Sequence, residues 1–343
     1  MSVHSAVATF SELTTMRVGG PVGELVTGTD AGQLVEAVRE ADERGVPVLL
    51  LGGGSNLVVA DAGWPGRTVR IATDGIDIAG EVVTVEAGVD WDRVVRTTLE
   101  QGLSGLETMS GIPGLAGATP VQNVGAFGTE TSDVLESVTV YDRASGTVQQ
   151  WPAERCGFGS HRSSVFKYSD RWLILRVRFR LARTELSRPI RYAELAARLG
   201  VEPGECAPSP AVRQAVLDSR RARGSLLDRD DHDTWTVGSF FLNPVVQSVP
   251  AAAETAPRFD DPKGIKIPAA WLIQHAGFPP GYGADFGAGR VRLSTKHALA
   301  VSNRGGASTA EVMALAGHVR AGVFDRFGIE LRPECRLVNC QLD

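Results

Sequence analysis

One stretch of the chain limits the fold more than any other: residues 111–128 (GIPGLAGATPVQNVGAFG) contain five glycines and two prolines. Such a segment cannot form a regular helix or a central strand. A loop of this length inside a compact domain is usually functional or disordered, and the small apolar residues with few charges argue against disorder. The segment therefore predicts a loop that lies flat against a large planar ligand, and a purely structural loop is the alternative.

A second glycine cluster, LGGGSN at residues 51–56, begins at the last residue of the apolar run Val46–Leu51, which predicts a buried strand. Glycines allow backbone N–H groups to surround an anion. The spacing matches neither GxxxxGK[ST] nor a GxGxxG that leads from a strand into a helix, so neither a Walker loop nor a dinucleotide-binding Rossmann fold is indicated. An anion-binding loop and a tight turn both remain open here.

The composition is that of an ordinary globular protein, with 343 residues, 43% hydrophobic, 22% charged and a net charge of −5. These values exclude a disordered chain, a collagen and a coiled coil, and without a basic stripe no nucleic-acid partner is expected. The chain has no apolar run of the roughly 18 residues that a membrane helix needs and no export signal at its start. Four scattered cysteines without a CxxC pair favour a reducing compartment over disulfides or a metal site. We expect a cytoplasmic protein of at least two domains, with no metal and no membrane partner.

Hydrophobic periodicity predicts both helices and strands along the whole chain, hence an α+β or α/β protein. The predicted helices run from Asp30 to Gly45, begun by a capping box of Asp30 and Gln33, over 91–101, capped by Asp90, and from Ser308 and Glu311 to Gly328. The predicted strands lie at 46–51, 82–86 and 171–181, and a hairpin is predicted at 136–151. A proline-rich stretch at 187–210 predicts a domain boundary near it.

The glycine clusters belong to a longer series of motifs. TMRVGG (15–20), LGGGSN and the 111–128 segment, in this order, resemble the FAD-binding half of the vanillyl-alcohol-oxidase-type flavoproteins. The later motifs GSFFLNP (238–244), AWLI (270–273), KHA (296–298) and LRPE (331–334) are similar to those of the UDP-N-acetylenolpyruvoylglucosamine reductase family. The resemblance covers about residues 10–338.

This resemblance implies an α+β fold, in which a two-part FAD-binding domain of the vanillyl-alcohol-oxidase type is followed by a smaller α+β substrate-binding domain. The implied bounds are 1–65 with the tail 338–343 for the first FAD-binding subdomain, 66–206 for the second, and 207–337 for the substrate-binding domain. The implied FAD-binding residues are Arg17, Gly19, Gly52, Gly53, Gly54, Ser55, Asn56, Gly111, Pro113, Gly114, Gly117, Ala118, Gln122, Asn123, Gly125 and Ala126.

The reaction implied by the resemblance is the NADPH-dependent reduction of an enolpyruvyl ether on a UDP-sugar to a lactyl ether. Hydride would add at C3 of the substrate double bond, and a proton would have to reach C2. The family implies Ser239 as the proton donor, Glu334 as the acid that polarises the substrate carboxylate, and Arg162 as the cation beside that carboxylate. Outside such motifs, a serine more often caps a turn and a glutamate is usually solvated.

The segment around Arg162 departs from the family pattern Phe-Gly-Tyr-Arg-x-Ser. It reads Phe158-Gly-Ser-His-Arg162-Ser-Ser, with one residue inserted and no tyrosine, and counting back from Phe166 selects Arg162. A planar guanidinium matches a carboxylate through two parallel hydrogen bonds. His161, next to it, is more often a spectator.

Four further residues are implied to bind the substrate. Tyr192 would close over the substrate diphosphate, Arg220 and Arg223 would hold it, and Asn243 would orient neighbouring groups. Arg223 stands where the family usually has lysine. A tyrosine at a domain edge, a solvated basic face and an Asn-Pro turn are the plainer alternatives.

Two other functions compete with the reductase. A flavin-dependent sugar or alcohol oxidase of the same FAD fold would share the first half of the chain but not GSFFLNP with the later Pro-Glu. A flavin-binding interaction protein without catalysis would not need Ser239 and Glu334. The expected partners are FAD, NADPH and the UDP-sugar, and the expected state is a monomer.

Overall fold

The computed structural model of the protein describes residues 8–159 and 163–342. The helices are α1 (Phe10–Leu13), α2 (Ala31–Glu43), α3 (Trp91–Glu100), α4 (Ala193–Leu199), α5 (Ser209–Ala222), α6 (Ala269–His275) and α7 (Thr309–Phe327). The strands are β1 (Val22–Gly28), β2 (Val48–Leu51), β3 (Leu57–Val59), β4 (Trp64–Ile71), β5 (Ile76–Ala79), β6 (Val82–Glu86), β7 (Leu103–Ser104), β8 (Gly125–Ala126), β9 (Thr129–Glu130), β10 (Leu135–Asp142), β11 (Thr147–Pro152), β12 (Trp172–Arg180), β13 (Ala182–Arg183), β14 (Val245–Val246), β15 (Phe259–Asp261), β16 (Gly264–Lys266), β17 (Val291–Leu293), β18 (Val301–Asn303) and β19 (Arg336–Val338).

The described residues divide into two compact units, neither of which is one continuous stretch of chain. Unit 1 takes those within Met1–Gly23, Gly54–Pro65 and Arg223–Asp343, and unit 2 takes those within Glu24–Gly53 and Gly66–Ala222. The three-part division that the resemblance implies (1–65 with 338–343, 66–206 and 207–337) has other bounds than these two units, and it stays a prediction.

Unit 2 is built around a five-stranded antiparallel sheet in the order β11-β10-β12-β6-β5. Its core includes Trp91 at the start of α3, whose ring meets Phe179 of β12 edge to face at 5.7 Å. A second sheet, in the order β1-β4-β2, holds β2 and β4 in parallel, and most of its residues belong to this unit. The buried face of α2 packs with Tyr141 and Leu173 in a separate core.

Unit 1 is held by one core to which distant parts of the sequence contribute. Met16 and Val18 near the start of the chain pack in the same cluster as Phe240, Phe241 and the buried face of α7. Strand β19 pairs in parallel with β3, and β17 pairs with β18 as a hairpin. The N-terminal TMRVGG segment is therefore part of the same unit as the C-terminal third of the chain.

The helix and strand predictions are confirmed, with small differences at element ends. Asp30 caps α2 by accepting a hydrogen bond from the Gln33 N–H at 2.9 Å, but the Gln33 side chain accepts from Thr29 and not from Asp30. The strand predicted at 46–51 begins at Val48, because Pro47 has no N–H to donate to a sheet. The last helix is flanked by Ser308 and Gly328 as predicted.

Candidate functional site

Two of the predicted cofactor loops meet inside unit 2. A Cβ atom on Gly53 would lie 2.9 Å from the Cα of Gly114, and one on Gly52 would lie 3.6 Å from the Leu115 side chain. Within the described part of the chain, the backbone N–H groups of Gly53, Gly114 and Leu115 have no hydrogen-bond acceptor. Backbone surface without side chains and with available N–H donors suits the phosphate oxygens of a nucleotide cofactor.

The start of the 111–128 loop is fixed by a network of charged side chains. The N–H of Gly111 donates to Asp92 Oδ1 at 2.6 Å, and both Asp92 oxygens accept from Arg213 at 2.7 Å. Arg220 Nε donates to the carbonyl oxygen of Gly111 at 3.0 Å. Burial alone would raise the pKa of Asp92, but the hydrogen bonds from Arg213 and Gly111 outweigh it and hold the pKa below its ordinary value. Sequence reasoning missed Asp92 and Arg213, because the residues of this network lie far apart along the chain.

Further along the loop, Asn123 is a structural residue as well as a predicted cofactor residue. It is buried, its φ is +46°, and both polar ends of its side chain are engaged: Nδ2 donates to Glu130 at 2.7 Å and Oδ1 accepts from the Ser132 N–H at 2.8 Å. Gly125 and Ala126 form β8, which pairs with β9. Pro113, Gly117, Ala118 and Gln122 lie in the same loop.

The remaining predicted cofactor segments lie in unit 1 and contact each other there. The N–H of Thr15 donates to the Gly54 carbonyl at 3.1 Å, which ties TMRVGG to the second half of the LGGGSN loop, where Ser55 and Asn56 follow. Gly54 has a φ of +62°, and a Cβ there would lie 2.1 Å from the Leu13 carbonyl oxygen, so no other residue fits. Gly19 is similarly tight against Phe10.

The two catalytic candidates of unit 1, Ser239 and Glu334, come from motifs that pair through their backbones. The N–H of Glu334 donates to the Phe240 carbonyl at 2.8 Å, and the Leu242 N–H donates to the Arg332 carbonyl at 2.9 Å. Glu334 is buried, whereas Ser239, the neighbour of Phe240, is partly exposed. The backbone segments that carry Ser239 and Glu334 are thus paired in antiparallel fashion within unit 1.

Asn243, at the end of the same motif, has a definite structural partner. Its Oδ1 accepts a hydrogen bond from the Ala269 N–H at 2.9 Å, which satisfies the first N–H of α6. This contact is a structural role, and the predicted role of Asn243 toward the substrate stays a prediction.

The KHA motif lies near Arg223 in unit 1. Burial first, and then the positive charge of Arg223, hold the pKa of His297 below its ordinary value. The His297 Nδ1 accepts from the Leu299 N–H at 3.0 Å, as an uncharged imidazole can. Lys296 forms an ion pair with Asp231 at 2.6 Å.

The other predicted substrate residues are divided between the units. Tyr192 and Arg220 belong to unit 2, and Arg223 belongs to unit 1. Tyr192 is 54% exposed at the start of α4, and its ring meets Phe127 edge to face at 6.0 Å. Arg162 and His161 lie outside the described residues. Arg155, the other arginine of this region, is stacked over the Trp151 ring at 4.0 Å.

No group of three or more His, Cys, Asp or Glu side chains in residues 8–159 and 163–342 could hold a metal ion. The helices in these ranges do not combine the length and apolar character needed to cross a membrane.

Residues 24–151 match the family model described as "FAD binding domain", so this is an FAD-binding chain, as predicted. Residues 230–338 match the model of the C-terminal domain of UDP-N-acetylenolpyruvoylglucosamine reductase. An FAD-binding domain followed by a separate C-terminal domain confirms the predicted fold class.

Relatives along the whole chain define the family. The UDP-N-acetylenolpyruvoylglucosamine reductase of Saccharopolyspora erythraea is 49% identical over 98% of this chain and 96% of its own length. That of Nocardia farcinica is 50% identical over 99% of this chain and 91% of its own. The crystal structure of the enzyme from Thermus caldophilus superposes with a TM-score of 0.68 at 26% identity, over 96% of this chain and 97% of its own. The chain belongs to the UDP-N-acetylenolpyruvoylglucosamine reductase family. The predictions of an FAD-dependent oxidoreductase, and of a reductase over an oxidase, are confirmed.

Proposed function

We propose that this chain uses NADPH to reduce the enolpyruvyl ether of UDP-N-acetylglucosamine-enolpyruvate to the lactyl ether of UDP-N-acetylmuramate, a precursor of peptidoglycan. The observation that carries this proposal is the backbone pairing of GSFFLNP with LRPE, in which the Glu334 N–H donates to Phe240 at 2.8 Å. The pairing keeps Ser239, which we assign as the proton donor, and Glu334, which we assign as the acid, within one unit, and this supports the proposal.

The residues fit FAD on structural grounds, and we assign its binding to the glycine loops of each unit. In unit 2, Gly52, Gly53 and the 111–128 loop would hold it through N–H groups on surface free of side chains. In unit 1, Gly54, Ser55, Asn56, Gly19 and Arg17 would contribute. When bound, FAD supplies hydride transfer from NADPH to the substrate.

The protein's own side chains stabilise the charge that develops on the substrate and donate the proton that it takes up. Hydride addition at C3 leaves negative charge at C2, which spreads into the carboxylate. Ser239 donates the proton that C2 takes up, and Glu334 polarises the carboxylate. Arg162 pairs with the same carboxylate through its two parallel N–H donors.

We assign the diphosphate of the UDP-sugar to Tyr192, Arg220 and Arg223, and the orientation of neighbouring groups to Asn243. The hydrogen bond from Arg220 Nε to the Gly111 carbonyl holds this guanidinium beside the start of the 111–128 loop. We further propose that the protein works as a monomer in the cytoplasm.

The test is the absorbance of the purified holoprotein under anaerobic conditions. NADPH should bleach the flavin bands, and UDP-N-acetylglucosamine-enolpyruvate should restore them with formation of the lactyl ether. A bleached flavin that this substrate leaves bleached, while oxygen restores it at a catalytic rate, would overturn the proposal in favour of an oxidase.

A further inference from the structure

Arg17, which we assign to FAD, has a backbone that is locked in an uncommon conformation. Its φ is +55°, in the left-handed region that residues other than glycine seldom occupy. The buried side chain of Asn303 donates through Nδ2 to the carbonyl oxygens of Met16 at 3.0 Å and Arg17 at 3.1 Å. The Oδ1 of Asn303 accepts from the Gly305 and Ala307 N–H groups, so this amide is itself fixed.

The Arg17 side chain rests on an aromatic ring. Its Cζ lies 4.2 Å from the centroid of Trp235, within the range of a cation–π interaction. Trp235 is held in turn: its Nε1 donates to the Arg229 carbonyl at 3.2 Å, and its ring lies 4.1 Å from that of His232. The His232 Nδ1 is 2.7 Å from the Arg304 carbonyl oxygen. The Arg17 guanidinium is thus stacked on the Trp235 ring, and two further contacts fix that ring.

This arrangement leaves the edge of the guanidinium available. Among the described side chains, no carboxylate forms an ion pair with Arg17. Stacking uses the face of the guanidinium, and its five N–H donors lie in its plane. An arginine that is already ordered loses less side-chain freedom when an anion binds.

We propose that Trp235 is a positioning residue for FAD, which holds Arg17 ready for an anionic group of the cofactor. This inference rests on the proposed assignment of Arg17 to FAD. Trp235 stands four residues before Ser239, and Thr236, next to it, accepts a hydrogen bond from the Thr15 hydroxyl at 2.6 Å. The segment that carries the proton donor thereby also orders the N-terminal cofactor segment.

The experiment is a double-mutant cycle on the FAD dissociation constant, measured by equilibrium dialysis of the holoprotein. The proteins are the parent, Arg17→Met, Trp235→Leu and the double variant. We expect Trp235→Leu to raise the dissociation constant about fivefold, since a cation–π contact contributes about 1 kcal/mol and 1.4 kcal/mol is tenfold. Arg17→Met should raise it about tenfold or more, because a charged hydrogen bond to the cofactor is lost. Adding Trp235→Leu to Arg17→Met should then change nothing further.

The outcomes separate the inference from its premise. If Arg17→Met binds FAD like the parent, the assignment of Arg17 fails and the inference fails with it. If Arg17→Met weakens binding while Trp235→Leu does not, or if the two effects multiply in the double variant, the inference alone is overturned.

Trp271→Leu is the matched control, because Trp271 also stacks on a histidine, His275 at 3.8 Å, in the same unit. It should leave the FAD dissociation constant unchanged. If Trp235→Leu does not fold, Trp235→Phe takes its place in the cycle, with about a twofold effect expected because phenylalanine attracts cations less than tryptophan does.

Discussion

Gly53 and Gly114 pass so close to each other that no side chain fits on the first. A Cβ on Gly53 would lie 2.9 Å from the Gly114 Cα, a separation that real Cβ atoms essentially never show. The two glycines belong to different sequence motifs, both assigned to FAD. Their contact shows that the LGGGSN loop must lack a side chain at Gly53 where the backbone of the 111–128 loop passes it.

We therefore expect Gly53→Ala to lower the free energy of unfolding by about 1–3 kcal/mol, because the added methyl group must push backbone aside. Gly52→Ala is the matched control for folding, since its Cβ would lie 3.6 Å from Leu115, an ordinary contact. Denaturant unfolding of both variants measures the difference. Equal losses in the two variants would contradict the steric explanation.

Ser239→Ala should separate the two half-reactions. Flavin reduction by NADPH needs no proton at the substrate C2 and should run as in the parent. Reoxidation by the enolpyruvyl substrate should slow by about 10²- to 10⁴-fold, because the proton donor is missing. Stopped-flow absorbance follows each step.

Ser248→Ala, at an exposed serine of the same unit, is the control for Ser239→Ala and should leave both steps unchanged. Equal slowing of both steps in Ser239→Ala would indicate a general defect. Unchanged reoxidation would remove Ser239 from the mechanism.

Asp92→Ala should destabilise the protein by about 1–3 kcal/mol, because it leaves Arg213 and the Gly111 N–H without their acceptor. The comparison is Asp74→Ala, which removes the partner of Arg93 at 2.6 Å in a pair whose side chains are 44% and 64% exposed. That loss should be at most about 1 kcal/mol. Similar losses in both variants would mean that the hydrogen bonds of Asp92 with Arg213 and Gly111 contribute little to stability.

The stability that Asp92 contributes through these hydrogen bonds should also depend on pH. Its folded pKa is lowered, so its stabilisation is fully present above the unfolded value of about 3.9 and is lost as the pH falls through the folded value. The difference in unfolding free energy between the parent and Asp92→Asn should thus be constant from pH 7 to about 5 and shrink below pH 4. A difference that stays constant down to pH 2 would contradict the assignment.

The cysteines should differ widely in reactivity. Burial raises the pKa of Cys156 to about 12, whereas Cys206 is exposed. At pH 8 an alkylating reagent should modify Cys206 and leave Cys156 unmodified until the protein unfolds, because the thiolate is the reactive form. Peptide mass mapping identifies the sites, and rapid labelling of native Cys156 would contradict its burial.

Local structure could be predicted from the sequence where the signals are local. The ends of α7 follow from Ser308, Glu311 and Gly328, three residues that act within one turn of the helix ends. The hairpin β10–β11 follows from strand alternation around a short polar turn. Motif order likewise predicted the FAD-binding class.

The contacts that shape the site could not be predicted in this way. Asp92 and Arg213 are 121 residues apart in the sequence, and Arg17 and Trp235 are 218 residues apart. No periodicity or capping rule relates residues at such separations, since only the folded core brings them together. For the same reason, the structural role of Asn303 gave no signal in the sequence.

The hydrogen bond from Asn303 to the Met16 carbonyl joins residues 287 positions apart. On a ribosome that adds about 5–20 residues per second, the N-terminal segment must wait about 15–60 seconds for this partner to be synthesised. The core of unit 1 can form only near the end of translation, although the first residues of this unit leave the ribosome first. The order of synthesis thus makes the TMRVGG segment, which begins the chain's FAD-binding motifs, one of the last parts of the protein to reach its native conformation.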